Sequence, residues 1–152
     1  MKTQIFLIGS GQIIEKIIKI ILFNKNYEIC GMLSVKKNFK ISYSKKKITN
    51  IHFQQIKKTK FTIKYVKKSG MKDDKLFNYI SKKKPNLIIV AGWYHLIPKR
   101  FLNIAPTFGF HGSLLPNYRG GAPLVWAIIN GEKKTGLSFF KFKTGVDNGD
   151  VL

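Results

Sequence analysis

The stretch from Thr3 to Val35 constrains the fold more than any other part of the chain. Thr3 to Ile8 is an apolar, β-branched run that breaks at Gly9-Ser10-Gly11. From Gln12 to Asn24, apolar residues at positions 13, 14, 17, 18, 20, 21 and 22 follow a helical period. Tyr27 to Val35 then returns to a strand pattern. Strand, glycine turn, helix and strand in that order form a βαβ unit. Such a unit demands parallel strands and a right-handed crossover, since a right-twisted strand feeding a right-handed helix packs back onto its sheet only that way. With apolar residues at so many positions, the helix reads as well buried.

The same alternation continues along the chain. Phe61 to Val66 predicts a third strand. Asp73 to Lys83 places Leu76, Phe77, Tyr79 and Ile80 for an amphipathic helix capped near Lys72-Asp73, and Pro85 ends it. Leu87 to Ala91 is a continuous apolar run of the kind found in central parallel strands. A short helix over 99–103 leads to a short strand at Phe108-Gly109-Phe110. Ala122 to Asn130 predicts a helix stopped by Gly131. Gly136 to Lys143 alternates as a strand, with Leu137, Phe139 and Lys141 on one face and Ser138, Phe140 and Phe142 on the other. Residues 36–60, which include Lys45-Lys46-Lys47, lack periodicity and read as an exposed, partly irregular connection. The expectation is one α/β domain over 1–152, an open, mostly parallel sheet with helices on both faces.

Composition supports a folded core: 44% of the residues are hydrophobic and 13% aromatic. The single cysteine, Cys30, excludes an internal disulfide and a multi-cysteine zinc site. No metal ligands are assigned. No apolar run reaches the roughly 18 residues of a membrane span, so a cytoplasmic setting is expected. The charge is extreme, with 28 Lys and Arg against 7 acids and a formal net charge of +21. That surplus attracts polyanions. Only Arg100 and Arg119 are arginines, however, and specific phosphate and base recognition favours the bidentate guanidinium. A lysine-rich nucleic-acid-binding domain therefore stands as an alternative reading, and not the leading one.

In an open parallel sheet, ligands bind beyond the carboxyl ends of the strands. Gly9-Ser10-Gly11 lies there but makes a poor dinucleotide fingerprint, because Ile14 holds the place of the third glycine. It reads as a tight turn that lets strand and helix pack. The stretch from His111 to Gly121, HGSLLPNYRGG, carries more information, since an ionisable residue follows a strand and heads a Pro- and Gly-rich loop. A second polar turn follows at Gly145-Val146-Asp147-Asn148-Gly149-Asp150. A carboxylate beside His111 would favour its charged form and fix its orientation.

Phe110 to Gly131, reading FHGSLLPNYRGGAPLVWAIING, closely resembles the core motif of the folate-dependent formyltransferases. The resemblance continues through Thr135-Gly136 and into GVDNGDVL at Gly145 to Leu152, with Asp147 standing 36 residues after His111. It implies a Rossmann-like formyltransferase domain that takes its formyl group from 10-formyltetrahydrofolate. It implies that His111 is the catalytic histidine and Asp147 its acidic partner. It assigns Ser113, Leu114, Leu115 and Pro116, together with Val90 and Gly92, to the folate site. Ile89, Ala91 and Trp93 belong to the same strand end, and Arg119 is placed to position the loop or an anionic acceptor. The acceptor implied is a primary amine on a larger anionic molecule, either methionyl-tRNA or a nucleotide-linked amino sugar. The small acceptor of purine synthesis ranks third.

Two departures from the family pattern accompany the match. The family usually carries Asn two residues before the histidine, donating to the formyl oxygen, and that position is Gly109 here. Asn103 and Asn117 are the candidate stand-ins. Family domains also continue past the aspartate turn, so the domain is expected to be incomplete at its carboxyl end. The absence of a tRNA-gripping domain tilts the acceptor towards the sugar. Both departures motivate the alternative of a non-catalytic relative.

Overall fold

A computed structural model of the chain describes residues 1–36, 61–67 and 70–152, and the backbone of 39–40 and 47–48. The opening is the expected unit: β1 (Thr3–Gly9), α1 (Gly11–Phe23) and β2 (Tyr27–Val35). A two-residue antiparallel ladder follows, β3 (Phe39–Lys40) with β4 (Lys47–Ile48). Apart from that ladder and Lys36, the lysine-rich connection expected over 36–60 lies outside the described residues. Then come β5 (Ile63–Val66), α2 (Asp74–Lys82), β6 (Leu87–Ala91), α3 (Lys99–Leu102), β7 (Thr107–His111), α4 (Pro123–Ile129), β8 (Ser138–Phe142) and β9 (Gly149–Val151).

The main sheet has the order β5-β2-β1-β6-β7-β8-β9. Its first five strands are parallel, and β8 and β9 add an antiparallel edge. From β1 the chain builds outwards through β2 and β5, then returns across the sheet to lay β6 on the other side of β1. The order therefore reverses between β1 and β6, and the crevice beyond their carboxyl ends is where such sheets accept ligands.

Strand alternation sends successive residues of β1 to opposite faces. Ile5 and Leu7 pack with Ile14, Ile18 and Ile21 of α1, whereas Phe6 and Ile8 pack with Ile80 of α2 and Phe101 of α3. Helices thus cover both faces. The burial of α1 is narrower than its composition predicts. Only Ile14, Ile18 and Ile21 are buried, while Ile20, Leu22 and Phe23 stand exposed. A helix lying on a sheet buries the side chains spaced three and four apart on one stripe, and apolar residues off that stripe stay in solvent.

Helix α2 begins where the sequence indicates. The Asp73 carboxylate accepts from the Lys75 N–H at 2.8 Å, satisfying one donor that the first turn leaves open, a contact usually worth about 1 kcal/mol. Helix α4 is apolar at every position, yet only Ala127 is buried. Among the described residues no helix is long and apolar enough to cross a membrane.

Candidate active site

His111 closes β7 and is almost wholly buried, at 8% exposure. Its Nδ1 stands 3.4 Å from Asp147 Oδ2, and its Nε2 stands 2.8 Å from the carbonyl oxygen of Tyr118. The Nε2 contact is a hydrogen bond to the Tyr118 carbonyl, while the Asp147 carboxylate faces Nδ1 at ion-pair distance. Asp147 lies in the turn between β8 and β9 with φ of 40°. Its Oδ2 also accepts from the Gly120 N–H at 2.8 Å. One carboxylate therefore holds the imidazole and joins the loop after β7 to the hairpin turn.

A cavity of about 540 Å³ includes this pair in its lining, along with Ile13, Val90, Gly92, Ile97 and Phe142. It sits at the carboxyl ends of β6 and β7. The turn after β1 is clamped to its edge: Ser10, at 1% exposure, donates through Oγ to the Gly92 carbonyl at 2.7 Å. Gly92 has φ of +61°, and a Cβ there would fall 2.4 Å from the Ser10 carbonyl oxygen, so a side chain is excluded. The Gly9-Ser10-Gly11 segment thus acts as a packing turn.

The residues expected to line a folate site divide into two groups. Val90 and Gly92 line the cavity, whereas Ser113, Leu114, Leu115 and Pro116 are not part of its lining. Ser113 is fully buried and spends its hydroxyl on the Asn117 carbonyl at 2.6 Å. The Ser113 carbonyl and the Leu115 N–H both engage the Ser138 hydroxyl, at 2.8 and 3.0 Å. These residues stiffen the loop that carries Tyr118 and Gly120. Trp93 and His95 also line the cavity. Trp93 is half-buried, with its Nε1 out of solvent and, among the described residues, without a hydrogen-bond partner. Burial pushes the His95 imidazole below its ordinary pKa. The sequence signal for His95 was a histidine just past the central strand.

Gly109 shares a face of β7 with His111, two residues back. A Cβ on it would lie 2.5 Å from Phe142 Cε2 and 2.7 Å from the Val90 carbonyl oxygen. The Phe142 ring occupies the room a longer side chain would need. Neither candidate stand-in for the missing Asn reaches the site. Asn103 lines a separate cavity with Phe77 and Arg100, and Asn117 is exposed, with its carbonyl accepting from Ser113. Both are set by local chain geometry: one caps α3, the other closes the Ser113 turn.

The sheet order and the His–carboxylate pair lining a cavity at the carboxyl ends of its strands define an open α/β protein whose cavity lies on the face where such sheets accept ligands. The chain belongs to the formyl transferase family, whose sequence profile matches residues 1–152. Among curated relatives, it is 41% identical over 83 residues to the methionyl-tRNA formyltransferase of Campylobacter lari, covering 55% of this chain and 27% of that one. It is 37% identical over 100 residues to the methionyl-tRNA formyltransferase of Syntrophus aciditrophicus, covering 64% and 32%. The matched segment thus spans about a third or less of the length of these relatives. Among solved structures, the fold is similar to phosphoribosylglycinamide formyltransferase from Bacillus halodurans, with a TM-score of 0.77, 17% identity and coverage of 98% and 76%. It is similar also to a sugar N-formyltransferase from Shewanella sp. FDAARGOS_354, with a TM-score of 0.69, 17% identity and coverage of 99% and 55%. The open, mostly parallel Rossmann-like sheet read from the sequence is the fold of this family.

Proposed function

We propose that this chain transfers the formyl group of 10-formyltetrahydrofolate to a primary amine, on methionyl-tRNA or on a nucleotide-linked amino sugar. The observation that carries the reading is the His111–Asp147 pair, 3.4 Å apart, in the lining of the cavity at the sheet's carboxyl end. The cavity suits a flat heterocycle: its volume falls within the usual range for small-molecule sites, and Val90, Ile97 and Phe142 give it apolar walls.

The chemistry follows from the residue types. The acceptor nitrogen bonds to the formyl carbon, and the carbonyl electron pair moves onto oxygen. Protonated His111 donates to that oxygen through its Nδ1–H, which Asp147 faces at 3.4 Å without a hydrogen bond while Nε2 holds the Tyr118 carbonyl, and so stabilises charge where it develops. The bond from carbon to the folate nitrogen then breaks, the pair leaves on that nitrogen, and a proton follows it there. Asp147 holds the imidazolium in place and orders a water that collects the proton lost by the amine. Sequence relatives named for methionyl-tRNA support the first acceptor, and the net charge of +21 suits either anionic one.

The test is formyl transfer by the 152-residue chain, with saturating 10-formyltetrahydrofolate and each acceptor in turn. The expected result is formylated amine and tetrahydrofolate in equal amounts with one of the two. Absence of product with both contradicts the proposal and favours the non-catalytic reading.

A further inference from the structure

We infer that Glu132 and Tyr118 are positioning residues that fix the His111 ring; the inference rests on the function proposed above. Tyr118 lies in the loop between β7 and α4 with φ of 54°, in the left-handed region that residues with a Cβ seldom occupy. That conformation places its carbonyl 2.8 Å from His111 Nε2. The loop is held there from outside the cavity. The Tyr118 hydroxyl donates to Glu132 Oε1 at 2.5 Å and accepts from Asn130 Nδ2 at 3.4 Å. Glu132 is itself fixed by the end of α4, since its N–H donates to the Ala127 carbonyl at 2.9 Å.

The loop therefore has three anchors: the Tyr118 phenol on Glu132, the Tyr118 carbonyl on the ring, and the Gly120 N–H on Asp147. With Nε2 committed to Tyr118, Nδ1 is the nitrogen on the Asp147 side. The hydrogen bond to the Glu132 carboxylate raises the Tyr118 phenol above its ordinary pKa. Glu132 touches nothing that reacts. Its effect on catalysis runs through one tyrosine and one backbone carbonyl.

The test reads the ring directly, by long-range 1H–15N spectra of the full chain carrying ring-labelled histidine, with His111 assigned through His111→Gln. Glu132→Ala and Tyr118→Phe are expected to move both His111 nitrogen signals and leave those of His95 in place. Glu132→Gln, which keeps an acceptor oxygen, is expected to restore the wild-type signals. In the transfer assay, Glu132→Ala is expected to lower kcat on the order of 10- to 100-fold with the KM for donor unchanged, the scale expected from a small misplacement. Wild-type His111 signals in both Glu132→Ala and Tyr118→Phe overturn the inference, as does a disturbance that reaches His95 equally. The spectra decide this even if the wild-type chain transfers no formyl group, so failure of the proposed function is separately visible.

Discussion

His111→Ala is expected to lower kcat for formyl transfer by about 100- to 1000-fold or more, in a protein that still unfolds in one cooperative transition. The magnitude follows from what the ring does in the proposed reaction: one preorganised donor to a developing oxyanion contributes on the order of 100- to 1000-fold, and proton transfer adds to it. Asp147→Ala removes the partner 3.4 Å from Nδ1 and also releases the Gly120 N–H, so it should approach the same loss. The two residues act as a unit. The double variant is expected to be little worse than His111→Ala alone, because groups that serve one step are not additive. Retained turnover in both single variants, measured with saturating donor, contradicts these roles.

Gly109→Asn restores the side chain that the family usually carries and is expected to harm this protein. The first added atom would meet Phe142 Cε2 at 2.5 Å and the Val90 carbonyl oxygen at 2.7 Å. The phenyl ring is able to swing aside; the Val90 carbonyl is part of the central strand β6 and is not. Overpacking of this kind typically costs about 1–3 kcal/mol, which lowers the urea midpoint. No gain in turnover is expected from the single substitution. Shrinking the neighbour in Gly109→Asn/Phe142→Leu should return part of the lost stability, a coupling that a double-mutant cycle measures. A Gly109→Asn protein as stable as the wild type, with higher turnover, would show that neither Phe142 nor the Val90 carbonyl holds this position as glycine.

Much of the fold was legible because burial imposes periods on the sequence. The run into Gly9, the helical spacing after it and the strand at Tyr27 to Val35 state a βαβ unit in residue types alone. The capping Asp73 marks the start of α2, and the alternation of Phe140 with Lys141 marks the two faces of β8. The extent of α1's burial was not legible: Ile20, Leu22 and Phe23 are as apolar as Ile14, and only the packing of the helix on the sheet separates them.

The site divides in the same way. His111 and Asp147 were legible as a motif, and folding brings them together. The Tyr118 carbonyl and the Gly120 N–H were not, because backbone atoms leave no trace in residue identity. Serine at position 113 gave no hint that its hydroxyl turns back onto Asn117 and away from the cavity. The packing of Phe142 against Gly109 depends on the antiparallel register of β7 and β8, in which Gly109 faces Phe140 and Phe142 lies diagonally beyond it. Registry of that kind belongs to the fold and not to either strand alone.

The central claim is that the cavity beside His111 and Asp147 holds the folate donor. A thermal-unfolding titration of the 152-residue chain with an unreactive 10-formyltetrahydrofolate analogue tests it most directly. A ligand bound only by the native state stabilises it by about 2.7 kcal/mol at 100 times its dissociation constant. One cooperative transition is expected, with a midpoint that climbs with ligand concentration. A midpoint that stays fixed up to saturating analogue would contradict the claim.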